Sequence, residues 1–418
     1  PYVVSNYPPL FVLLQAPFVW IFGPGFWYGR AISLASTVAI AALIALTVHA
    51  VTRDKTASAS SGLTFVAVPF VLHWSSLDRV DMLGLALSWG GLYAVVRRPD
   101  RRGVILAALL MVAAIYTRQT YALAAPLAAF VWLLAGGQGR RALALATLTG
   151  GFSLLLLGAL SALTGGGFFF HTVTANANEF RWEQVSYNLS TMEWIMPLLL
   201  VGGLAFVVLG LRSRPASWWL VGAYLGGSAA ATLLIGKVGS DVNYLLELSA
   251  ALALAAGALI ARYSSQTGAR CVLLLALAVQ VATMVQASQD FYAGFQQGVI
   301  DQRSGLARLE AIVDGSKGPV LADEYAGLLP LDGRRIYLQP FEMTQLQRDG
   351  RWNQEPLLRS IKRRNFPLIL IWKPPYAAGI EQERWTRDML EAIEESYEPV
   401  QKHVVTVVYR PRPSDEVP

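Results

Sequence analysis

Residues 75–97 read SSLDRVDMLGLALSWGGLYAVVR, and this stretch decides the fold class. After Asp81 it becomes an apolar run close to the length of one pass through a bilayer. Asp78, Arg79 and Asp81 stand at the start of that run. An ionised side chain at the centre of such a helix costs about 2.5–3.5 kcal/mol, and less near the interface. The stretch therefore predicts a membrane helix with functional polar groups at one end.

The composition of the whole chain indicates a membrane protein. Of its 418 residues, 54% are hydrophobic and only 15% are charged, and the mean hydropathy is +0.42. A soluble domain carries about 25% charged residues. The single cysteine, Cys271, excludes an intramolecular disulfide, and the four histidines lack the spacing of a zinc site.

Apolar runs predict a mainly α, polytopic membrane bundle of about ten spans over residues 1–288. A further short run, 9–22, is flanked by prolines and predicts an interfacial helix. The ten predicted spans are 28–51, 61–74, 80–97, 103–117, 120–136, 142–164, 192–211, 217–236, 243–262 and 270–288.

The Lys and Arg residues of the short loops set the predicted orientation. Successive loops lie on alternate sides of the membrane, so they form two sets. The set with fewer basic residues holds five of them: Arg30, Arg79, Arg118, Arg181 and Lys237. The richer set, which we assign to the cytoplasm, holds twelve: Arg53, Lys55, Arg97, Arg98, Arg101, Arg102, Arg140, Arg141, Arg212, Arg214, Arg262 and Arg270. Trp20, Trp27, Trp74 and Trp194 then fall near the outer helix ends, as an aromatic belt would.

Residues 289–418 have a different composition and predict a small extracytoplasmic α/β domain. They contain 17 basic and 19 acidic residues, so the positive net charge belongs to residues 1–288. GPVLADEY, RRIYLQP, FPLILIW and HVVTVVYR predict strands, and EPLLRSIKRR and ERWTRDMLEAIEES predict amphipathic helices. The basic loops suit anionic membrane lipids, whereas nucleic acid is a poor fit.

Further polar residues stand at the outer ends of other apolar runs. Arg118 lies in IYTRQTYALAAP, and Lys237 opens KVGSDVNYLLEL, which also contains Asn243, Tyr244 and Glu247. Separated bases next to acids suit a phosphate-bearing ligand. The bases would hold the phosphate, while the acids bind a divalent metal ion or accept a proton.

Each of these residues also has a purely structural interpretation. Arg118 and Lys237 could be anchors that reach the lipid headgroups, and Asp78 with Arg79 could be a solvated pair. Asp81 could simply favour its helix N-terminus, and Glu247 could be a hydrogen-bonded packing residue. His171, in GGFFFHTVTANANEF, fits an amphipathic surface helix.

Four segments together resemble the GT-C glycosyltransferases of the family 39/83 type, which include protein mannosyltransferases and aminoarabinose lipid A transferases. The family's "KPPL…W…fG…R" segment is resembled by NYPPLFVLLQAPFVWIFGPGFWYGRAIS. The family also has an acidic residue at the start of a later helix, and this segment is resembled by DRVDMLGLALSWGGLYAV. The family's "TKG…lPl" turn is resembled by YTRQTYALAAPLA. The family's stretch in which a basic residue precedes "YllPl" is resembled by KVGSDVNYLLELSAAL. The four segments occur in the family's order over residues 5 to 260.

The resemblance implies an enzyme of the bacterial plasma membrane that takes a sugar from a polyprenyl-phosphate donor on the outer face. The acceptor would be a lipid, a glycan or a protein. Asp81, with Asp78, would hold a metal ion or organise the acceptor, and no other cofactor is implied. The expected ligands of the donor phosphate are Arg118, Lys237, Arg79 and Tyr7, the last in place of a family Lys. The expected lining of the substrate cavity is Asn6, Asn243, Tyr244, Glu247 and His171.

One family feature is missing from the sequence. The catalytic acid of the family lies upstream of the Pro8–Pro9 segment, so we expect it before residue 1 and expect the chain as given to be inactive. Two other classes stay open, a transporter or flippase of a lipid-linked or small anionic substrate, and a non-catalytic membrane scaffold. Midplane helix breaks with inverted repeats would favour the transporter.

Overall fold

The computed structural model describes residues 2–374, 379–403 and 405–413. The chain forms two compact units. The first, which we call the helical unit, contains residues 7–172 and 177–291. The second, the sheet unit, contains residues 292–418 together with the short pieces 1–6 and 173–176. The sequence gives no sign that those two short pieces belong to the sheet unit.

The helical unit consists of helices joined mostly by short loops. Three short 3₁₀ helices, Gln119–Ala122, Leu233–Gly236 and Val242–Leu245, extend or precede longer ones. The last helix continues past residue 291. The helices are α1 (Leu10–Phe22), α2 (Trp27–Thr52), α3 (Lys55–Ala67), α4 (Pro69–Ser75), α5 (Val80–Arg97), α6 (Arg101–Ile115), α7 (Ala124–Ala135), α8 (Gly139–Leu163), α9 (Gly167–Thr172), α10 (Trp182–Ile195), α11 (Pro197–Gly210), α12 (Ala216–Thr232), α13 (Leu246–Arg262) and α14 (Thr267–Asp314).

Among the described residues, five helices are long and apolar enough to cross a membrane. The number rises to seven if each of two bent pairs is one span, α3 with α4 (68°) and α10 with α11 (96°). The mainly α membrane bundle is therefore confirmed, but the count of ten spans is not reached. Two predicted spans correspond to α6 and α7, which have only 15 and 12 residues. A straight pass needs about 20 residues.

Side-chain exposure separates the centre of the helical unit from its apolar periphery. α13 is buried along nearly its whole length, whereas α8 exposes Leu154 and Leu155. α1 exposes a run of large apolar residues that includes Trp20, which is 88% exposed. Such surfaces suit lipid, in keeping with the predicted interfacial position of α1. Trp74, in contrast, is buried, so its predicted place in an aromatic belt is wrong.

The described residues of the sheet unit form four strands, β1 (Val320–Ala322), β2 (Leu368–Trp372), β3 (Tyr397–His403) and β4 (Thr406–Pro411), in the order β1–β2–β4–β3. β1 pairs with β2 in parallel, and the other pairs are antiparallel. Helices α16 and α18 bury Leu357, Ile361 and Met389. The further helices are α15 (Pro340–Arg348), α16 (Glu355–Lys362), α17 (Glu381–Arg384) and α18 (Arg387–Ser396).

The predicted elements of this unit are partly confirmed. β1, β2, β4, α16 and α18 lie inside predicted strands and helices, although Val404 of HVVTVVYR is outside the described residues. The strand predicted at RRIYLQP is wrong. Within this segment Leu338 forms an isolated parallel bridge with Tyr2, and Pro340 already begins α15. The Arg334 side chain donates to the carbonyls of Val313, Ser316 and Gly318. β3 escaped prediction because Pro399 interrupts YEPVQKH.

Candidate active site

Asp81 is the centre of a buried polar cluster in the helical unit. It lies in the first turn of α5 and its side chain is fully buried. Its Oδ2 accepts a hydrogen bond from Trp74 Nε1 at 3.0 Å, and its Oδ1 accepts one from Asn243 Nδ2 at 2.9 Å. It also forms an ion pair with Arg118. Asp81 therefore joins α4, α5, the segment after α6 and the segment before α13.

Arg118 reaches Asp81 because α6 ends early and a glycine faces the segment that follows. A Cβ on Gly84, one turn after Asp81, would lie 2.7 Å from the Tyr121 ring and 3.6 Å from Arg118 Cβ. Glycine at this position lets residues 118–121 pack directly on α5. The Arg118 side chain is 2% exposed, and its guanidinium lies 4.6 Å from the centre of the Tyr244 ring. Among the described residues, its buried Nε has no hydrogen-bond partner.

The cluster reaches the surface of the helical unit through Arg79, Tyr7 and Lys237. Arg79 Nε lies 3.8 Å from Asp81 Oδ2, and its side chain is 43% exposed. Arg79 Nη2 donates to the Tyr7 hydroxyl at 3.4 Å. Tyr244 interacts electrostatically with both Arg118 and Lys237. Arg79 and Arg118 thus pair with the Asp81 carboxylate, and Arg118 and Lys237 interact with the Tyr244 ring.

Lys237 is positioned by backbone pairing with the segment that precedes α10. Arg181 N donates to the carbonyl of Gly236 at 2.7 Å, and Val238 N donates to that of Glu179 at 2.8 Å. Phe180 and Lys237 form an isolated antiparallel bridge. This pairing holds the lysine in an extended conformation just ahead of the segment that supplies Asn243 and Tyr244.

Glu247 lies on the inner side of the cluster. It is in the first turn of α13 and is 4% exposed. Arg118, Tyr121 and Tyr224 interact with it electrostatically. Its Oε1 has no hydrogen-bond partner among the described residues. Arg118 therefore interacts with two buried acids, Asp81 and Glu247.

Three of the predicted site residues lie elsewhere. Asp78 accepts a hydrogen bond from Gln15 Nε2 at 3.0 Å, and burial raises the pKa of its half-buried carboxyl. His171 is in α9, with its ring against Phe170. Asn6 belongs to the sheet unit, where its carbonyl accepts a hydrogen bond from Asn176. We assign these three residues no role in the cluster.

Sequence reasoning missed the two aromatic residues that complete the cluster. Trp74 was assigned to the membrane interface, yet its indole N–H is a direct partner of Asp81. Tyr121, three residues after Arg118, packs beside Gly84. The available signals were the Trp-x₆-Asp spacing of HWSSLDRVD and the glycine one turn after Asp81, but neither signal is specific by itself.

The residues around Asp81 do not fit a divalent metal ion. Both of its oxygens already accept N–H groups, and the guanidinium of Arg118 balances its charge. Hard cations need several free oxygen ligands. Asp78 has its own partner, and no three His, Cys, Asp or Glu side chains within residues 2–374, 379–403 and 405–413 are grouped to hold a metal. We therefore derive no step through a metal.

The chemistry that the cluster does suit is the binding of a phosphate group. Guanidinium and ammonium groups form charge-assisted hydrogen bonds with phosphate oxygens. A buried N–H without a partner costs about 1–3 kcal/mol, and a phosphate oxygen could provide that partner for Arg118 Nε. A carboxylate with both oxygens engaged is better placed to orient Arg118 than to accept a proton.

The fold is similar to that of ArnT from Cupriavidus metallidurans bound to undecaprenyl phosphate, with a TM-score of 0.63 and 16% identity over 99% of this chain and 89% of that one. The structure of the same ArnT in the apo state gives a TM-score of 0.61 and 15% identity, over 98% and 88%. No protein-family model matches the chain, and no curated protein sequence matches it.

Proposed function

We propose that the protein is a membrane glycosyltransferase that takes a sugar from a polyprenyl-phosphate donor on the extracytoplasmic face. One observation carries the proposal: Arg118 is buried with an unpartnered Nε and adjoins Arg79, Tyr7 and Lys237 on the exposed side of the cluster. The likeness to an ArnT structure that contains undecaprenyl phosphate supports the same ligand class. The finer assignments, to family 39/83 and to any mannosyltransferase, remain expectations from sequence resemblance.

In this proposal the cationic groups stabilise the leaving phosphate. The bond between the sugar C1 and the phosphate oxygen breaks, its electron pair stays on that oxygen, and C1 forms a new bond to the acceptor oxygen. Arg118, Lys237 and Arg79 face the negative charge that grows on the phosphate. Fixed donors in a poorly hydrated site are effective at such work, because they need little reorganisation during the reaction.

Asp81 acts as a positioning residue for Arg118. Its carboxylate holds the guanidinium over the Tyr244 ring, and Trp74 and Asn243 hold the carboxylate. Since both oxygens are engaged, we assign the proton of the acceptor hydroxyl to a base outside this cluster.

The test begins with binding, which does not depend on the catalytic base. The purified protein in lipid nanodiscs is titrated with a short-chain polyprenyl monophosphate. We expect Lys237→Gln and Arg79→Gln each to weaken binding about tenfold, since a hydrogen bond to a charged group is worth about 1.5–3 kcal/mol. Arg181→Gln is the matched control, because Arg181 is a half-exposed partner of Glu179 on the segment that pairs with Lys237. It should bind like the wild type.

Activity is then measured on the full-length natural protein with radiolabelled polyprenyl-phosphate sugar. Transfer of the radiolabelled sugar from the lipid to an acceptor supports the assignment as an enzyme, provided that the transfer rate is lower in Lys237→Gln and Arg79→Gln. Polyprenyl-phosphate binding that is equal in all variants contradicts the site. Binding with lipid movement across vesicles, and with no sugar transferred, would favour the flippase instead.

A further inference from the structure

The turn between α5 and α6 forms a second, separate basic site at the far end of α5 from Asp81. Sixteen residues separate Asp81 from Arg97 along this helix, which corresponds to roughly 24 Å at 1.5 Å per residue. The loop-charge count predicts that this end lies on the cytoplasmic side. The proposed transfer site and this turn therefore lie near opposite ends of one helix.

The turn is tight because α6 begins on a cap and a glycine. Asp100 is the N-cap of α6, where its carboxylate accepts the N–H of Gly103 at 2.8 Å. A Cβ on Gly103 would lie 1.7 Å from the Arg98 carbonyl, so only glycine allows α6 to start so close to the end of α5. From α8, Arg141 donates to the carbonyl of Pro99. The backbone of the turn is thus fixed from both sides.

A cavity of about 240 Å³ lies beside this fixed turn. Its wall is apolar or small, formed by Gly90, Ala94 and Leu106 with the Tyr93 ring. Arg97, Arg98 and Arg102 also line the cavity. On α6, Ile105, Leu106 and Leu109 are 41–56% exposed. The cavity therefore combines a basic group of side chains with an exposed apolar strip.

The positive charges of the cavity are balanced by few acidic residues nearby. The segment RRPDRR, residues 97–102, has four arginines and one acid, and that acid is already used as a helix cap. The Gly103 N–H, with Arg98 and Arg102 nearby, lowers the pKa of the exposed Asp100 carboxyl. Within the part of the chain that the structure describes, the guanidinium groups of Arg97, Arg98 and Arg102 form no hydrogen bond or ion pair of 4 Å or less. They are available to an external anion.

We propose that this cavity binds an anionic glycerophospholipid of the cytoplasmic leaflet. The arginines hold the headgroup phosphate, and the first carbons of an acyl chain lie along Leu106 and Leu109. Arginine matches phosphate through paired N–H groups, and basic pockets between membrane helices are suited to anionic headgroups. The apolar wall is what selects a lipid over a free anion.

Two double variants remove the same amount of positive charge. Their comparison distinguishes a specific lipid site from non-specific electrostatic attraction of anionic lipid. Arg98→Gln with Arg102→Gln empties the cavity rim of two charges. Arg140→Gln with Arg212→Gln removes two exposed arginines of the same predicted side that do not line the cavity. Native mass spectrometry then counts bound phosphatidylglycerol after extraction from mixed phosphatidylcholine and phosphatidylglycerol membranes. We expect about a tenfold loss of retained anionic lipid for the first pair and no change for the second.

A third variant and a second probe test the choice of lipid over free phosphate. Leu106→Gln alters an exposed apolar side chain, so folding should be kept while lipid retention falls several-fold. Thermal unfolding in detergent should shift upward with phosphatidylglycerol and stay constant with inorganic phosphate at equal concentration. Equal shifts with inorganic phosphate, or equal loss in both double variants, would overturn the proposal. The donor-binding assay with polyprenyl monophosphate reports on the other end of α5, so each binding experiment reads out one site without the other.

Discussion

Arg118 carries a buried positive charge, and its Nε has no hydrogen-bond partner among the described residues. The charge is compensated by the buried carboxylate of Asp81. Breaking a buried ion pair by removing one partner costs about 3–5 kcal/mol, because it leaves an uncompensated charge in a low-dielectric region. Replacing both partners at once avoids that cost. The cluster should therefore behave as a unit when it is mutated.

A double-mutant cycle tests this coupling. Asp81→Asn and Arg118→Met are each expected to destabilise the helical unit by about 3–5 kcal/mol, whereas the double variant should be less destabilised than either single variant. The measurement is the thermal unfolding midpoint in a fixed detergent. Additive losses would mean that the two side chains do not compensate each other. All three variants should lose binding of polyprenyl monophosphate, so the recovery of stability is separable from the function.

Residue chemistry could be predicted from the sequence better than residue geometry. Asp81, Arg118 and Lys237 stand out because ionised groups at the ends of apolar runs are costly. Their mutual contacts depend on the early end of α6 and on the glycine at position 84. Neither feature can be recognised as decisive in a single sequence. Asp78 has the same chemistry as Asp81 and lies three residues away, yet it faces Gln15 instead.

At the scale of elements, small residues set how closely the helices pack. A Cβ on Gly227 of α12 would lie 2.8 Å from the Ala124 Cα, at the start of α7. The adjacent Gly226 is exposed, and a Cβ there meets nothing within 4 Å. Without water between them, membrane helices gain stability mainly from such close backbone packing.

These neighbouring glycines provide a matched pair of variants. Gly227→Val should destabilise the α7–α12 packing by about 1–3 kcal/mol, because the backbone of α7 must move. Gly226→Val should change stability by about 0.5 kcal/mol or less. Thermal unfolding in detergent measures both. Equal effects would show that the loss comes from valine in the helix and not from the contact with Ala124.

Asp323 makes the stability of the sheet unit depend on pH. Asp323 directly follows β1, and its carboxylate accepts hydrogen bonds from the N–H groups of Glu324, Trp372 and Trp385. Burial raises its pKa above 3.8, although those hydrogen bonds oppose the shift. The folded carboxyl therefore keeps its proton to a higher pH than the unfolded one. Its contribution to stability is fully present below pH 3.8 and is lost as the pH rises through the folded pKa.

The expected result is a decrease in local stability of the β1–β2 pair as the pH rises above 3.8. Hydrogen exchange of the segments 320–325 and 368–372 in the full chain, corrected for intrinsic rates, measures it. Asp323→Asn should remove most of that slope. Asp349→Asn, which alters a half-exposed carboxylate in an ion pair with Arg351, should leave the slope unchanged. An identical slope in the wild type and Asp323→Asn would exclude Asp323 as its source.

Element types could be predicted wherever one periodicity dominates. The long apolar helices and the amphipathic α16 and α18 follow their patterns directly. Bends cannot be counted in this way. Pro69 and Pro197 begin new helices inside single apolar runs, so composition alone gives one span where the structure has two helices. RRIYLQP shows the opposite limit, since its pattern predicts a strand but Leu338 forms only an isolated bridge with Tyr2 and Pro340 already begins α15.

At the scale of the whole molecule, charge is distributed unevenly among the loops. The twelve Lys and Arg residues of one set of loops, against five in the other, are the sole basis for the predicted orientation. That orientation underlies both proposals. It assigns the Asp81–Arg118 cluster to the outer leaflet and the RRPDRR cavity to the inner one.

Cysteine accessibility tests this orientation directly. Cys271 is the single native cysteine, so Cys271→Ser gives a background without thiols. Ser265→Cys places one probe in the exposed loop between α13 and α14, and Asp349→Cys places another on the sheet unit. A membrane-impermeant maleimide should label the second probe in intact cells and the first only after permeabilisation. The reverse pattern would assign the phosphate cluster to the cytoplasm, and a donor on the extracytoplasmic face would then be excluded. Labelling of both probes in intact cells would contradict the crossing of α14 itself.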